Sequence, residues 1–195
     1  MSFRFLDPGP LIDGELELIS PDARWIDDVL TSCAHPMSHN DASAAATTRP
    51  FLIEFLNGSP GGRYPGDVRL NRVPAYHFWM RLLPESNPVI PIAGHIGLRI
   101  GSTHELEMYF GHIGYNVYPP ARGHHYAARA CGLLFPLARA HDFSQLWITC
   151  NPDNIPSRRT CERLGGELVE IVDIPRGQIL FERGERQKCR YRIGL

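Results

Sequence analysis

The 195-residue chain contains no uninterrupted apolar run near the length that crosses a bilayer, so no membrane-spanning helix is expected. Met1 to Pro10 lacks the basic stretch and apolar segment of a secretory signal, and a cytoplasmic location is expected. The five cysteines (Cys33, Cys131, Cys150, Cys161 and Cys189) are odd in number and form no CxxC pair. That argues against a zinc knuckle or a disulfide scaffold and for buried, reduced thiols. There is almost no net charge. Twenty basic residues oppose twenty-one acidic ones, for a formal −1. No nucleic-acid partner is expected, because Arg158, Arg159 and Arg163 form only a local cluster beside Glu162 and Glu167. The phosphate-binding pattern GxxxxGK followed by Ser or Thr is missing, as are GxGxxG and HExxH. His35 and His39 stand one helical turn apart near Asp41, but nothing completes a ligand set, and no metal is expected. No repeat and no compositional break divides the chain, so one domain over 1–195 is expected.

What is present suits a folded α/β protein. Hydrophobic residues make up 43% and charged residues 21%, while 18 glycines and 17 prolines imply many turns. Leu11 to Ile19 alternates like a half-buried strand. Ser20-Pro21-Asp22 predicts a helix start capped by Ser20, with Trp25, Ile26, Val29 and Leu30 as its apolar stripe. Met37 to Thr48 has no clear period. Phe51 to Leu56 reads as a short helix stopped by Asn57-Gly58, and Ser59 to Asp67 as a loop. Strands are predicted at Ala75–Leu83, Pro91–Ile100 and Gly111–Tyr118. The period then changes. Arg122 to Ala140 reads as a helix with Ala127, Ala130, Cys131, Leu134 and Ala138 on one face, bent or shortened at Pro136. Gln145–Cys150 follows as a strand, Asn154–Leu164 as a helix closed by Gly165-Gly166, and Glu167–Val172 and Lys188–Ile193 as the last strands.

Two junctions carry chemical information. At Val117 to Ala128 a strand runs into Pro119-Pro120, then Arg122-Gly123, then a small-residue helix. The prolines cannot continue a ladder, so sheet pairing should stop there. The free amides of the next helical turn, with the Arg122 charge and the small Gly123, suit an anion such as a phosphate. An ordinary strand-to-helix connection explains the segment as well. At Cys150 to Gly166, Asn154 can cap a helix by accepting from the Ser157 amide, or can hold a ligand.

Together the junctions resemble the GCN5-related N-acetyltransferase superfamily. That family's acetyl-CoA signature is Q/R-x-x-G-x-G/A, and Arg122, Gly123, His124, His125, Tyr126 and Ala127 occupy it, with His125 where glycine is usual. His112-Ile113-Gly114-Tyr115-Asn116-Val117-Tyr118-Pro119 resembles the central strand of a bacterial acetyltransferase subgroup. Asn154, Ser157, Arg158, Glu162 and Gly165-Gly166 resemble its DN-x-x-S-x-x-x-x-E-x-x-GG segment, and Tyr191-Arg192-Ile193 its closing strand. The resemblance spans about Ile92 to Ile193. It implies an α/β fold whose central mixed sheet is splayed between Gly111–Tyr118 and Gln145–Cys150, with helices on both faces. It implies acetyl-CoA as co-substrate, its pantetheine arm beside Val117 and Tyr118, its pyrophosphate on Arg122 to Ala127, and Asn154 and Ser157 near the arm. It implies direct acyl transfer to a primary amine of a small molecule or peptide, with an unprotonated amine beside the thioester.

The acid and base stay open at this level. Cys161 stands where many relatives have a tyrosine acid, although the inert buried thiol is the favoured reading of the residue. Tyr115 and Tyr126 are the nearby phenols. His112, Glu107 and Glu105 are base candidates, His112 first because its intrinsic pKa suits the task. Period two places His112, Gly114, Asn116 and Tyr118 on one face and Ile113, Tyr115 and Val117 on the other. The acceptor determinants should lie in Cys33 to Asn71 and before Gly111, where Asp41, Glu54 and Glu107 suit a cationic amine. A binding or regulatory protein on the same fold, without turnover, is the alternative. Self-association as a homodimer is also left open.

Overall fold

Leu16 and Leu18 point inward and their neighbours outward in the computed structural model, which describes residues 3–195. Strands β1 (Ile12–Asp13) and β2 (Leu16–Ile19) form a tight hairpin at one edge. The turn that follows is capped by Asp22, not Ser20: its carboxylate accepts from the Arg24 amide, and α1 (Ile26–Cys33) begins only after a 3-10 turn. Ile26 and Val29 are buried as expected, and Trp25 and Leu30 pack against the core. The segment without a clear period holds α2 (Ala42–Ala46), capped by Asp41. The predicted short helix is longer, α3 (Arg49–Gly58). It starts at the Thr48 cap with Pro50 in the first turn, where the missing amide costs nothing, and it includes Asn57 and Gly58. The expected loop after it contains β3 (Arg63–Tyr64), which pairs with Tyr76 and Ala75.

Strands β4 (Ala75–Leu82), β5 (Ile92–Arg99) and β6 (Ile113–Val117) complete the first sheet, in the order β1-β2-β4-β5-β6, with β3 beside β4. All its pairs are antiparallel. A π-helical turn, Leu106–Phe110, precedes β6 and is closed by Gly111 at φ +70°. Helix α4 (Tyr126–Ala140) starts four residues later than predicted, because His125 takes a left-handed conformation at φ +60°. It runs through Pro136 without ending. The second sheet has the order β7-β9-β8, from β7 (Gln145–Cys150), β8 (Glu167–Asp173) and β9 (Gln187–Gly194), also antiparallel. Helix α5 (Ile155–Arg163) follows β7, and α6 (Ile179–Glu182) lies between β8 and β9. No helix among the described residues is long and apolar enough to cross a membrane.

Helix α4 holds the two sheets against one core. Its Ala130, Cys131, Leu134 and Ala138 are sealed from solvent and share a cluster with Ile96, Leu98 and Ile113 of the first sheet and Leu146, Ile148 and Ile193 of the second. The small residues let the helix approach closely, and truncating one buried leucine here costs about 2–5 kcal/mol. Arg129 fastens the helix to the hairpin by hydrogen bonds to Asp13 and Glu15. The other face of the first sheet is covered by the 3-10 turn leading into α1 and by α3: Trp25 meets Arg81, and Phe55 meets His77 edge-on at 5.4 Å. Thus β4 turns Tyr76, Phe78 and Met80 to one side and His77, Trp79 and Arg81 to the other.

Candidate functional site

The two sheets meet where β6 begins. The His112 amide donates to Trp147 O at 2.6 Å. Beyond that link, β6 pairs with β5 and β7 with β9, so the two central strands belong to different ladders and leave an opening between them. The hydrogen bonds of β6 reveal which groups line it. Arg99 N–H donates to His112 O and Tyr118 N–H donates to Ala93 O. In an antiparallel pair such bonding alternates along the strand. Gly114 and Asn116 therefore bond inward to β5, and the main-chain groups of Ile113, Tyr115 and Val117 face the opening. Tyr118 does not: its amide is taken by Ala93, its carbonyl by the Ala121 amide, and its side chain is buried. The expectation that Tyr118 pairs with a ligand is corrected on that ground.

At the upper end of the opening the chain turns. Arg122 Nε donates to Val117 O at 2.9 Å, and its guanidinium pairs with Asp41, which also caps α2. Arg122 is thus a strut across the mouth and is already partly neutralised. Gly123 has φ +92°, and a Cβ there would meet open space. His124 and His125 are exposed, and His124 stacks on Tyr126 at 5.4 Å. The Tyr126 side chain is buried and lies under the Arg129 guanidinium. The α4 ladder begins with Arg129 N–H donating to His125 O, which leaves the amides of Tyr126, Ala127 and Ala128 at a positive helix end. A phosphate-sized anion fits such a turn because glycine keeps it uncovered.

The four residues singled out for catalysis take different positions. His112 is 2% exposed, and both ring nitrogens are committed: Nδ1 accepts from Trp147 N–H at 2.9 Å, so Nε2 carries the proton and donates to Gly101 O at 3.1 Å. Burial lowers its pKa. No lone pair is left for a substrate, and the expected base is a structural clamp between the sheets. Cys161 is fully buried, and its thiol is pushed up by the neighbouring Cys150 and by burial, so its role as acid is also corrected. Glu107 accepts from the Ser102 hydroxyl on its own turn, and its carbonyl accepts from Arg190 Nε. Tyr115 reaches from β6 to α5, where its hydroxyl shares a 2.8 Å hydrogen bond with Ser157 Oγ, and burial raises its pKa. Asn154 is a helix cap, its side-chain oxygen accepting from Ser157 N–H at 3.2 Å.

Below the opening lies a cleft of about 920 Å³, walled by α3, the start of β4, the π-helical turn and α6. Phe51, Phe55 and Tyr64 line one side, Glu105 and Leu106 another, and His77 and Arg99 lie on the sheet surface. His77, Gly97 and Gly114 are partners in one row across β4, β5 and β6. Lacking side chains, the two glycines make room: a Cβ on Gly97 would come within 3.0 Å of His77 Nδ1, and one on Gly114 within 3.4 Å of the Arg99 guanidinium. The His77 ring makes no hydrogen bond among the described residues, and burial with the nearby Arg99 charge lowers its pKa to about 4.

The family model for the acetyltransferase (GNAT) domain matches residues 67–167, just over half the chain. The chain belongs to the GNAT family. No curated protein sequence matches it. Among solved structures, the microcin C7 self-immunity acetyltransferase MccE, in complex with acetyl-CoA and AMP, is 16% identical over 94% of both chains, with a TM-score of 0.64. The ribosomal L7/L12 alpha-N-protein acetyltransferase RimL, in complex with coenzyme A, is 16% identical over 95% of this chain and 98% of that one, at 0.62. The GNAT-family acetyltransferase from Bacillus anthracis is 19% identical over 95% and 98%, at 0.59. At these identities the likeness is one of fold.

Within the GNAT signature, the position usually held by glycine is the one in left-handed conformation here, φ +60° at His125. Histidine tolerates that region better than most non-glycine residues. The His125 side chain is exposed to solvent. Sequence reasoning missed His77 and Arg99. Their one signal is a pair of glycines within predicted strands, Gly97 in β5 and Gly114 in β6, which marks places where neighbouring side chains need room.

Proposed function

We propose that this chain is an acetyl-CoA-dependent N-acetyltransferase acting on a primary amine. The observation that carries this is the outer edge of β6. The main-chain groups of Tyr115 and Val117 face an opening that leads directly into the Gly123 turn and the free amides of α4. An amide-bearing arm ending in a pyrophosphate matches that sequence of groups. Acetyl-CoA, when bound, supplies an activated acyl group as a thioester. The structural neighbours named for acetyl-CoA and coenzyme A support its choice as co-substrate.

The chain's own residues then have separable tasks. Val117 N–H and the Tyr115 main chain hold the arm. Amides from Gly123 to Ala128 hold the anion, and the Arg122 strut keeps the turn in place. The cleft receives the amine, which must arrive unprotonated and within about 3–3.5 Å of the acyl carbon. His77 stays neutral at physiological pH and, standing on β4 with β5 between it and β6, takes up the amine's proton through a bridging water. The Tyr115–Ser157 hydroxyl pair stands between β6 and α5 and donates a hydrogen bond to the departing sulfur. Burial holds the Tyr115 proton too firmly for more than that.

Calorimetry with acetyl-CoA, alongside a thiol-release assay over a panel of amines, tests the proposal. Binding is expected, and it should weaken in Gly123→Val, where φ +92° forbids a β-branched residue and the side chain would cover the turn. A folded Gly123→Val protein with unchanged affinity would overturn the placement. Acetyl-CoA binding with no release on any amine would favour a binding protein without turnover.

A further inference from the structure

We propose that Arg99 anchors a carboxylate of the acceptor, so that the acceptor is a free α-amino acid with an apolar side chain and not a peptide N-terminus. The inference rests on the acetyltransferase proposal for the amine's fate, but not for the binding itself. Arg99 is half-buried on the floor of the cleft and has no carboxylate partner among the described residues. Its Nη1 donates to Phe110 O at 3.2 Å and Gly111 O at 2.9 Å, which fixes the guanidinium plane. Nε and Nη2 make no hydrogen bond among those residues. An arginine cannot shed its charge, so a fixed, half-buried and unpaired one favours an anion from outside.

The position matters as much as the charge. The guanidinium lies over Gly114, 3.4 Å from where a Cβ would be, directly beside the strand whose outer edge faces the opening. In an α-amino acid one carbon separates carboxylate from amine. A carboxylate on Arg99 therefore leaves the amine at the β6 edge, where a thioester would lie. The side chain extends into the part of the cleft lined by Phe51, Phe55 and Leu70. The acids on the cleft wall, Glu54 and Glu105, are exposed, and Glu105 is engaged by Asn71 Nδ2 at 3.2 Å. A peptide N-terminus presents a neutral amide at the same place and cannot make the charged, two-pronged pairing.

The test is equilibrium binding of L-leucine and L-phenylalanine against L-leucinamide and L-phenylalaninamide, by calorimetry and without acetyl-CoA. The free acids should bind about 10–100-fold more tightly than the amides. That ratio should collapse toward one in Arg99→Gln and survive in part in Arg99→Lys, which still offers the Phe110 and Gly111 carbonyls a cationic donor. Equal affinities, tighter amides, an unchanged ratio in either folded variant that lacks the guanidinium, or no binding of any of the four at millimolar concentration would overturn it. Should acetyl-CoA fail to bind while the acids outbind the amides, the transferase proposal falls and the anchor stands.

Discussion

His112 and His77 lie on the same sheet system, one just before β6 and the other on β4, in opposite surroundings. His112 is sealed, with one ring nitrogen on Trp147 N–H and the other on Gly101 O. His77 borders the cleft beside Phe55 and Arg99, with no hydrogen bond to its ring among the described residues. Burial depresses both pKa values, so titration does not separate them. Commitment of the lone pair does. A histidine whose two nitrogens both serve the main chain holds the fold, and one whose nitrogens are idle at a cleft is available to a ligand.

The comparison is most sharply tested by exchange. In His77→Ala, turnover on a good amine should fall about 10²–10³-fold, as for loss of a proton-handling group, with little change in thermal melting. A variant with normal turnover would remove His77 from the chemistry. His112→Ala should reverse the pattern. Trp147 N–H and Gly101 O lose their partner and a buried ring is gone, so about 2–4 kcal/mol of stability should be lost in denaturant melts. Turnover per folded molecule should stay within about twofold.

Acid should distinguish the folded and unfolded states of His77. Its folded pKa, about 4, lies below the ordinary 6.5. Between those values the unfolded chain binds a proton that the folded one refuses. Stability is therefore full above pH 6.5 and declines as pH falls toward 4, on the order of 2–3 kcal/mol. His77→Phe should flatten that part of a stability-against-pH curve. A smaller effect comes from Glu15, whose carboxyl is held at about 2 by Arg129. Its contribution is present above pH 4.5 and lost as pH falls toward 2. Because the pair is partly exposed, about 1 kcal/mol or less is expected, and Arg129→Gln should abolish it. Acid titration followed by circular dichroism measures both.

Much of the frame is local and could be read from residue order. Alternation gave away the inward Leu16 and Leu18 and set Ile113, Tyr115 and Val117 on one face of β6, and the structure makes that face the core side. The stripe of Ala130, Cys131, Leu134 and Ala138 announced a helix that packs closely. Val117 followed by two prolines and Arg122-Gly123 marked the end of pairing and the turn. These signals are legible because strand and helix periods, proline's missing donor and glycine's backbone freedom act within a few residues.

The division of labour among the side chains was decided by tertiary structure. His112 became a clamp through partners 11 and 35 residues away. Cys161 lost its access when Cys150 of β7 and Tyr115 of β6 closed over it. Tyr118 spent its amide on Ala93 across the sheet. The cleft exists only where α3, the π-helical turn and α6 converge over His77 and Arg99 of adjacent strands. A hydrogen-bonding group is structural or chemical according to whether the fold supplies its partner. That supply comes from segments far apart in the chain, which no local pattern encodes.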